Sequence, residues 1–423
     1  MGARPDARET HPSRLSLALL FGAFYFVQGI GEPTAGLLAQ PVKAILKGRG
    51  EGAAAMAGFM ALLALPWSVK PLYGLLTDFV PLFSSRRRSY LVLMTALPAI
   101  ALFGLALAVP GSSGLLLAAL FVPAVGLAFG DVVIDALMVE EGQPRGLTGW
   151  LQSVQWASIY AATILTGVVG GALTQQGRPE LAFAVCGATL LGSLVLALYF
   201  VREAPAAPRS HSARAAIREL LAAARRPAML AVGAFLFLWA FNPFAASVLY
   251  VHATAEIGLT EQEFGNATAV LGGGAMLASI AYGFYCRRVP FRVLVHASIA
   301  LGVVATLAYL FYAGPLSAYA VSAAVGVTYM TATLVQLDLA ARSCPPRVAG
   351  TSFALLMSLS NLSAAMSAAL GGNLYEAMSE VLGVEMAFRA LVCIGALFTS
   401  ACWLLVPWLR RQEGVLSTPR SGP

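Results

Sequence analysis

Charge is what this sequence has least of. Asp, Glu, Lys and Arg make up 11% of its 423 residues, against roughly 25% in an ordinary soluble domain. With 58% hydrophobic residues, stretch after stretch exceeds the roughly 18 apolar residues that mark a membrane-spanning helix. A soluble enzyme is excluded, and so is a disordered chain. Cysteine is scarce too: Cys186, Cys286, Cys344, Cys393 and Cys402 include no Cys-x-x-Cys and lie mostly within apolar runs. They are expected to be reduced thiols packed as small hydrophobes, not a disulfide framework. The four histidines are scattered, without metal-ligand spacing. No Gly-x-x-x-x-Gly-Lys-Ser/Thr loop is present, so the chain cannot be driven by ATP on its own. No cofactor and no metal is expected.

The formal net charge of +7 comes from 27 Lys and Arg against 20 Asp and Glu, with Arg far ahead of Lys. That bias suggests a GC-rich, bacterial genome. The basic residues sit in short clusters between apolar runs, which fits membrane topology and not a nucleic-acid partner.

Apolar stretches separated by turn signals predict an all-α integral membrane protein of twelve spans. They are placed at 16–42, 53–77, 89–109, 113–139, 147–174, 180–201, 228–253, 263–286, 291–313, 316–341, 349–374 and 385–409. The first lacks a small-residue cleavage site, so it is expected to be a span and not a signal peptide. Apart from Lys70, which lies within a span, twenty-one of the Lys and Arg residues fall in or beside the loops of one side and five in or beside those of the other. By the positive-inside rule both termini are cytoplasmic.

The predicted organisation is a cytoplasmic tail (1–15), a six-helix bundle (16–201), a cytoplasmic linker (202–227), a second six-helix bundle (228–409) and a cytoplasmic C-terminal tail (410–423). Part of the linker, 212–226, either forms a basic amphipathic helix on the membrane surface or is a solvated linker that also enforces topology. The halves look like copies. Tyr73-Gly74 and Val80-Pro81 recur 209 positions later as Tyr282-Gly283 and Val289-Pro290. Ala124-Val125-Gly126 recurs 200 positions later as Ala324-Val325-Gly326, followed in both copies by Pro-Arg and Gly. A six-span unit repeated in the same orientation implies a transporter with its site near the midplane between the halves. Gly74, Asp78 and Arg86-Arg87-Arg88 follow the Gly-x-x-x-Asp…Arg-Arg signature of the major facilitator superfamily.

An ionisable group at the centre of a span costs about 2.5–3.5 kcal/mol on insertion scales, so each needs a reason. Glu32, Lys70, Asp131 and Asp135 are such groups, with Asp338 nearer one end of its span. Asp131 and Asp135 share one helical face. Two carboxylates so close in low dielectric should not both stay ionised, which suits a proton carrier. Lys70 and Asp131 both lie roughly 12 Å from the cytoplasmic face, so Lys70 can pair with Asp131 or Asp135. Such a pair would either serve transport or merely lock spans 2 and 4 together. Glu32, between Gly31 and Pro33, marks a place where a helix can bend toward a cavity. Glu32, Asp131 and Asp135 are therefore the expected proton-coupling residues. Asp78 with Arg86, Arg87 and Arg88 is expected to be a gating latch. Gln28, Trp67, Lys70, Gln152, Gln155 and Trp156 are the expected substrate-binding set, since amides and aromatic faces suit a flat heteroaromatic ligand.

At these residues the chain resembles the folate–biopterin transporter family of the major facilitator superfamily. Pro66-Trp67, Lys70-Pro71-Leu72-Tyr73-Gly74, Asp78, Pro81, Arg86–Arg88 and Tyr90 carry the resemblance, with Tyr25-Phe26-Val27-Gln28-Gly29, Asp131, Asp135, Glu140 and Leu151-Gln152-Ser153. In the second half Ala340-Ala341-Arg342, Cys344-Pro345, Phe353-Ala354, Ser358 and Asn361 agree. Ser84-Ser85 departs from the Gly and aromatic of the pattern, and Asp338 is not part of it. The resemblance implies uptake of folates or related pteridines with protons. An inside-negative potential of about 100 mV opposes entry of a dianion by roughly 4.6 kcal/mol, so two or more protons per cycle would be needed. Lys70 would attract the ligand's negative charge, while Gln28, Gln152 and Trp67 would hold the pteridine. The expected partners are a small-molecule solute, protons and the lipid bilayer, with the protein a monomer in a bacterial inner membrane. The competing reading keeps the architecture and changes the cargo to a drug, a muropeptide or a nucleoside-like solute, taken up or exported. A membrane enzyme is not expected, because no nucleophile–base set is found.

Overall fold

A computed structural model describes residues 13–83, 85–142, 145, 147–201, 203, 213–245, 247–285, 288–344 and 349–411. Ser84, Pro346-Arg347, most of the linker's first half and the tail residues 1–12 and 412–423 lie outside the described residues. Those described form sixteen α-helices. Eleven helical segments are long and apolar enough to cross a membrane. Their outward side chains, such as Leu107, Phe284 and Leu404, are apolar and exposed, as a lipid-facing surface must be.

Span 1 is broken. α1 (Arg14–Gly31) starts at Ser13, whose hydroxyl caps the Ser16 N–H at 3.1 Å, and α2 (Ala39–Gly48) continues after a turn. The break follows from Glu32-Pro33. Pro33 offers no N–H to the helix ladder, and the Glu32 carboxylate accepts instead from the Thr34 N–H (3.1 Å) and Thr34 Oγ1 (2.6 Å). Gly36 closes the turn, because a side chain there would collide with the carbonyl oxygens of Gly29, Ile30 and Glu32. Span 2 is kinked between α3 (Ala53–Ser68) and α4 (Lys70–Phe79), with Val69 outside helical geometry at φ −110°, ψ 16°. The bend at Glu32 agrees with the sequence, whereas the kink at Val69 is new.

Spans 3 to 6 are α5 (Arg88–Leu107), α6 (Ser113–Gly142), α7 (Thr148–Gln175) and α8 (Pro179–Tyr199). α9 (Ala213–Ala224) meets α10 (Pro227–Ala240) at a bend of 75°, so it does not prolong that span. α10 has 14 residues, about 21 Å, which is short of the roughly 30 Å hydrocarbon core. The crossing is completed by α11 (Ser247–Val251) and a π-helical turn at His252–Glu256. One long neighbour, α15 (Ala349–Leu382), tracks both pieces: Ser363 Oγ donates to the Phe237 carbonyl, the Asn242 N–H reaches Ser367 Oγ, and His252 Nδ1 lies 3.3 Å from the Tyr375 hydroxyl. Span 7 is thus one broken helix interrupted at Asn242-Pro243. α12 (Glu261–Tyr285), α13 (Phe291–Ala308), α14 (Pro315–Ser343), α15 and α16 (Val384–Arg411) complete twelve crossings.

In chain order six crossings precede the linker and six follow it. α1 rests on α7 and α5 on α8 in the first half, while α13 rests on α14 and α16 in the second. The halves meet along two seams, α7 against α12 and α3 against α15. The first seam is made of small residues, and a methyl added to Gly265 would strike the Gly167 carbonyl oxygen. Such close backbone approach is how helices gain packing energy where lipid competes for every apolar side chain.

The face away from the linker is sealed by bonds between the halves. Glu376 accepts from the Ala54 N–H (2.8 Å), Gln40 Nε2 donates to Glu261 Oε2 (2.8 Å), and Lys47 Nζ donates to Thr254 Oγ1 (2.9 Å). Toward the linker face, α4 meets α15 far more sparsely than α3 does.

Candidate functional site

Four helices bring their polar side chains to one place. Lys70 is the first residue of α4, immediately past the kink, and its ammonium forms an ion pair with Asp131 of α6. Pro71 helps to make the kink and also leaves the Trp67 carbonyl without its usual helical donor. Asn361 of α15 supplies a replacement, donating from Nδ2 at 3.1 Å. The kink that presents Lys70 therefore also ties the two halves together. From α1, the Gln28 amide faces Asp131, and the amide orientation that satisfies both its ends lets Nε2 donate to Oδ1 at 2.6 Å while the amide oxygen accepts from the Asp131 N–H at 2.9 Å. One helical turn along α6, Asp135 Oδ1 accepts from the Tyr25 hydroxyl at 2.6 Å and from Gln155 Nε2 of α7 at 3.3 Å. The Lys70 and Asp131 side chains are 15% and 17% exposed, enough for water to reach them. One cation faces two carboxylates, so the cluster has room for an additional positive charge, and a proton is the smallest that fits.

On the linker face a second network is centred on Arg87, which is nearly buried. Its guanidinium donates to Asp78 Oδ1 (2.7 Å), Glu140 Oε1 (2.9 Å) and Thr77 Oγ1 (2.6 Å). It thereby joins α4, α5 and α6. The turn before it wraps around Glu203, whose carboxylate accepts from Ser85 Oγ (2.5 Å) and from the backbone N–H groups of Arg86, Arg87 and Arg88. Partial burial works against the Glu203 charge, but these donors outweigh it and hold its carboxyl below the ordinary value. Arg88 turns away to donate to the carbonyls of Ala197 and Leu198 at the end of α8, where a cation satisfies orphan carbonyls. None of these bonds reaches the second six-helix bundle.

A family model, the BT1 family, matches residues 34–416. The chain belongs to the BT1 family. A curated relative, the "Folate-biopterin transporter" of Synechocystis sp. (strain ATCC 27184 / PCC 6803 / Kazusa), is 31% identical over 94% of this chain and 81% of its own length. "Probable folate-biopterin transporter 4" of Arabidopsis thaliana is 26% identical over 76% of this chain and 80% of its own. Among solved structures, the nucleoside transporter NupG superposes with a TM-score of 0.73 at 11% identity, covering 92% of this chain and 99% of the other. A D-xylose–proton symporter gives a TM-score of 0.68 at 15% identity, covering 93% and 98%. These likenesses establish the major facilitator fold. This BT1 protein is a multi-pass membrane transporter of a small molecule, and not an enzyme.

Not every residue singled out from the BT1 sequence falls in the four-helix cluster. Lys70, Asp131, Asp135, Gln28 and Gln155 do. Glu32 sits in the span 1 break, bonded to Thr34. The Trp67 side chain packs into the apolar core of the first half. Trp156 stacks on Tyr160 at 5.9 Å and packs beside Ala275, Ala278 and Met330 of the other half, so it belongs to the seam. Gln152 is exposed. Asp338 pairs with Arg342 one turn along its own helix at 2.9 Å. Tyr25 was missed as a site residue, although its spacing from Gln28 places both on one face of α1. Glu203 and Thr77 were missed as well, and no local pattern marks them.

Proposed function

We propose that the protein imports folate- or pterin-type solutes together with protons by alternating access. The observation that carries this reading is the Lys70–Asp131 pair with Asp135 beside it, buried where α1, α4, α6 and α7 converge. In this reading the linker face is cytoplasmic, as the Arg-rich loops require. The conformation described is then closed to the outside. Protons load on Asp135 and Asp131, and a solute carboxylate competes with Asp131 for Lys70. Gln28 and Gln155, each already bonded to one of the carboxylates, pass changes of charge to the ligand. Family membership and the names of the two relatives support the cargo class, while the cluster's charge balance supports coupling. Radiolabelled folate uptake into proteoliposomes, with and without an inward proton gradient, is the test. Accumulation stimulated by the gradient is expected. Gradient-independent equilibration would remove proton coupling, and no uptake or binding of folate or biopterin would remove the cargo.

A further inference from the structure

A second buried charge lies on the sealed face. Lys43 of α2 is 6% exposed, yet among the described residues it makes no hydrogen bond and no ion pair. Its ammonium lies over the Tyr250 ring, 5.7 Å from the centroid. An unpaired buried ammonium is costly, so its placement needs compensating charge. The carboxylates acting on it through space are Glu32 and Glu261. They belong to different halves. Glu32 is in the span 1 break of the same half, with Oε2 buried and without a hydrogen-bond partner. Glu261 opens α12 in the other half, where Gln40 Nε2 and the Tyr250 hydroxyl each donate to it at 2.8 Å. Gln40 Nε2 also reaches the Glu261 backbone oxygen at 2.5 Å.

We propose that Lys43 is a second coupling charge, shared between Glu32 and Glu261, that controls the gate on the sealed face. Attraction to Glu261 across the seam holds the gate shut. When the halves part, Glu261 leaves with α12 and Glu32 remains as the counter-charge of Lys43, so the open state does not strand a bare cation. This rests on the alternating-access reading and on no particular cargo. It gives the pathway two charge centres in series, Lys70–Asp131 toward the linker face and Lys43 toward the other.

The test is hydrogen–deuterium exchange of the full chain in lipid nanodiscs without solute. It follows the amides of residues 39–48 and 261–270, with those of 315–343 as a control for general loosening. Glu261→Gln is expected to raise exchange at the gate about tenfold, the usual scale of coupling between two states. Glu32→Gln, which removes the counter-charge of the open state, is expected to lower it. In a Lys43→Met background Glu261→Gln no longer raises exchange, because the remaining Glu32–Glu261 interaction is repulsive. Lys43→Gln serves as the background if the Met variant does not fold. The proposal is overturned if Glu261→Gln leaves the gate unchanged, if Glu32→Gln raises exchange, or if the Glu261→Gln effect survives without Lys43. Failure of folate uptake would leave all three readings in place, so the two hypotheses fail separately.

Discussion

Replacing Lys70 by Met would leave Asp131 and Asp135, one turn apart in α6, without their cation. A unit-charge pair about 4 Å apart at an effective dielectric of about 20 is worth about 4 kcal/mol, and stranding one partner of a buried pair costs about 3–5 kcal/mol. The side chains are 15% and 17% exposed, so water recovers part of that. Each single variant, Lys70→Met or Asp131→Leu, is therefore expected to lose about 2–4 kcal/mol. The double variant replaces the pair by apolar groups of similar size and is expected to lie within about 1 kcal/mol of the parent, because such exchanges are often neutral. Unfolding of the four proteins in mixed micelles gives the coupling energy directly. A coupling below about 0.5 kcal/mol, the level seen for independent sites, would refute the energetic argument. The double variant also separates two roles. If the pair serves the transport cycle, the stable double variant does not accumulate solute. If it accumulates solute as the parent does, the pair is a lock between spans 2 and 4 and the coupling role falls.

Asp135→Asn keeps the hydrogen bonds from Tyr25 and Gln155 but cannot exchange a proton. It is expected to lose gradient-driven accumulation while retaining solute exchange down to equilibrium, and gradient-driven uptake by this variant would remove Asp135 from proton coupling. Gly265→Val forces a side chain against the Gly167 carbonyl and is expected to cost about 1–3 kcal/mol by overpacking. A thermal melt checks it, and an unchanged melt would mean that the seam is looser than drawn. Glu203 has a carboxyl held below its ordinary value of 4.5. Its contribution to stability is complete above that value and is lost as pH falls through the lower folded one. Exchange of the amides of Arg86–Arg88 is expected to rise over that acid window, and Glu203→Gln is expected to show the raised exchange already at neutral pH. An acid rise that persists in Glu203→Gln would assign it to another group.

What could be read from sequence was whatever lipid penalises, because a hydrocarbon solvent leaves few ways to hide a charge or a free backbone group. The crossings, the bend at Glu32-Pro33 and the Lys70–Asp131 pair all follow from that penalty. The kink at Val69 was less visible, since its sign is a missing N–H at Pro71 whose consequence, the Trp67 carbonyl reaching Asn361, lies nearly three hundred residues away. Span 7 looked continuous for a similar reason: Asn242-Pro243 interrupts it, but the run on either side is apolar enough to pass for one helix. Trp67 and Trp156 show the limit of reasoning from residue type. An aromatic ring in a span suits a flat ligand and a helix seam equally, and only its neighbours decide between them. The sequence repeat is likewise a match of position and not of contact. Gly126 in α6 packs on Pro98 and Met94 of α5, whereas its counterpart Gly326 in α14 packs on Leu271 and Ala275 of α12. The acids Asp131 and Asp135 have no partner at the matching place in α14. The buried charge pair thus stays in the first half, which leaves the second half to contribute Asn361 and Glu261 as contacts that close against it.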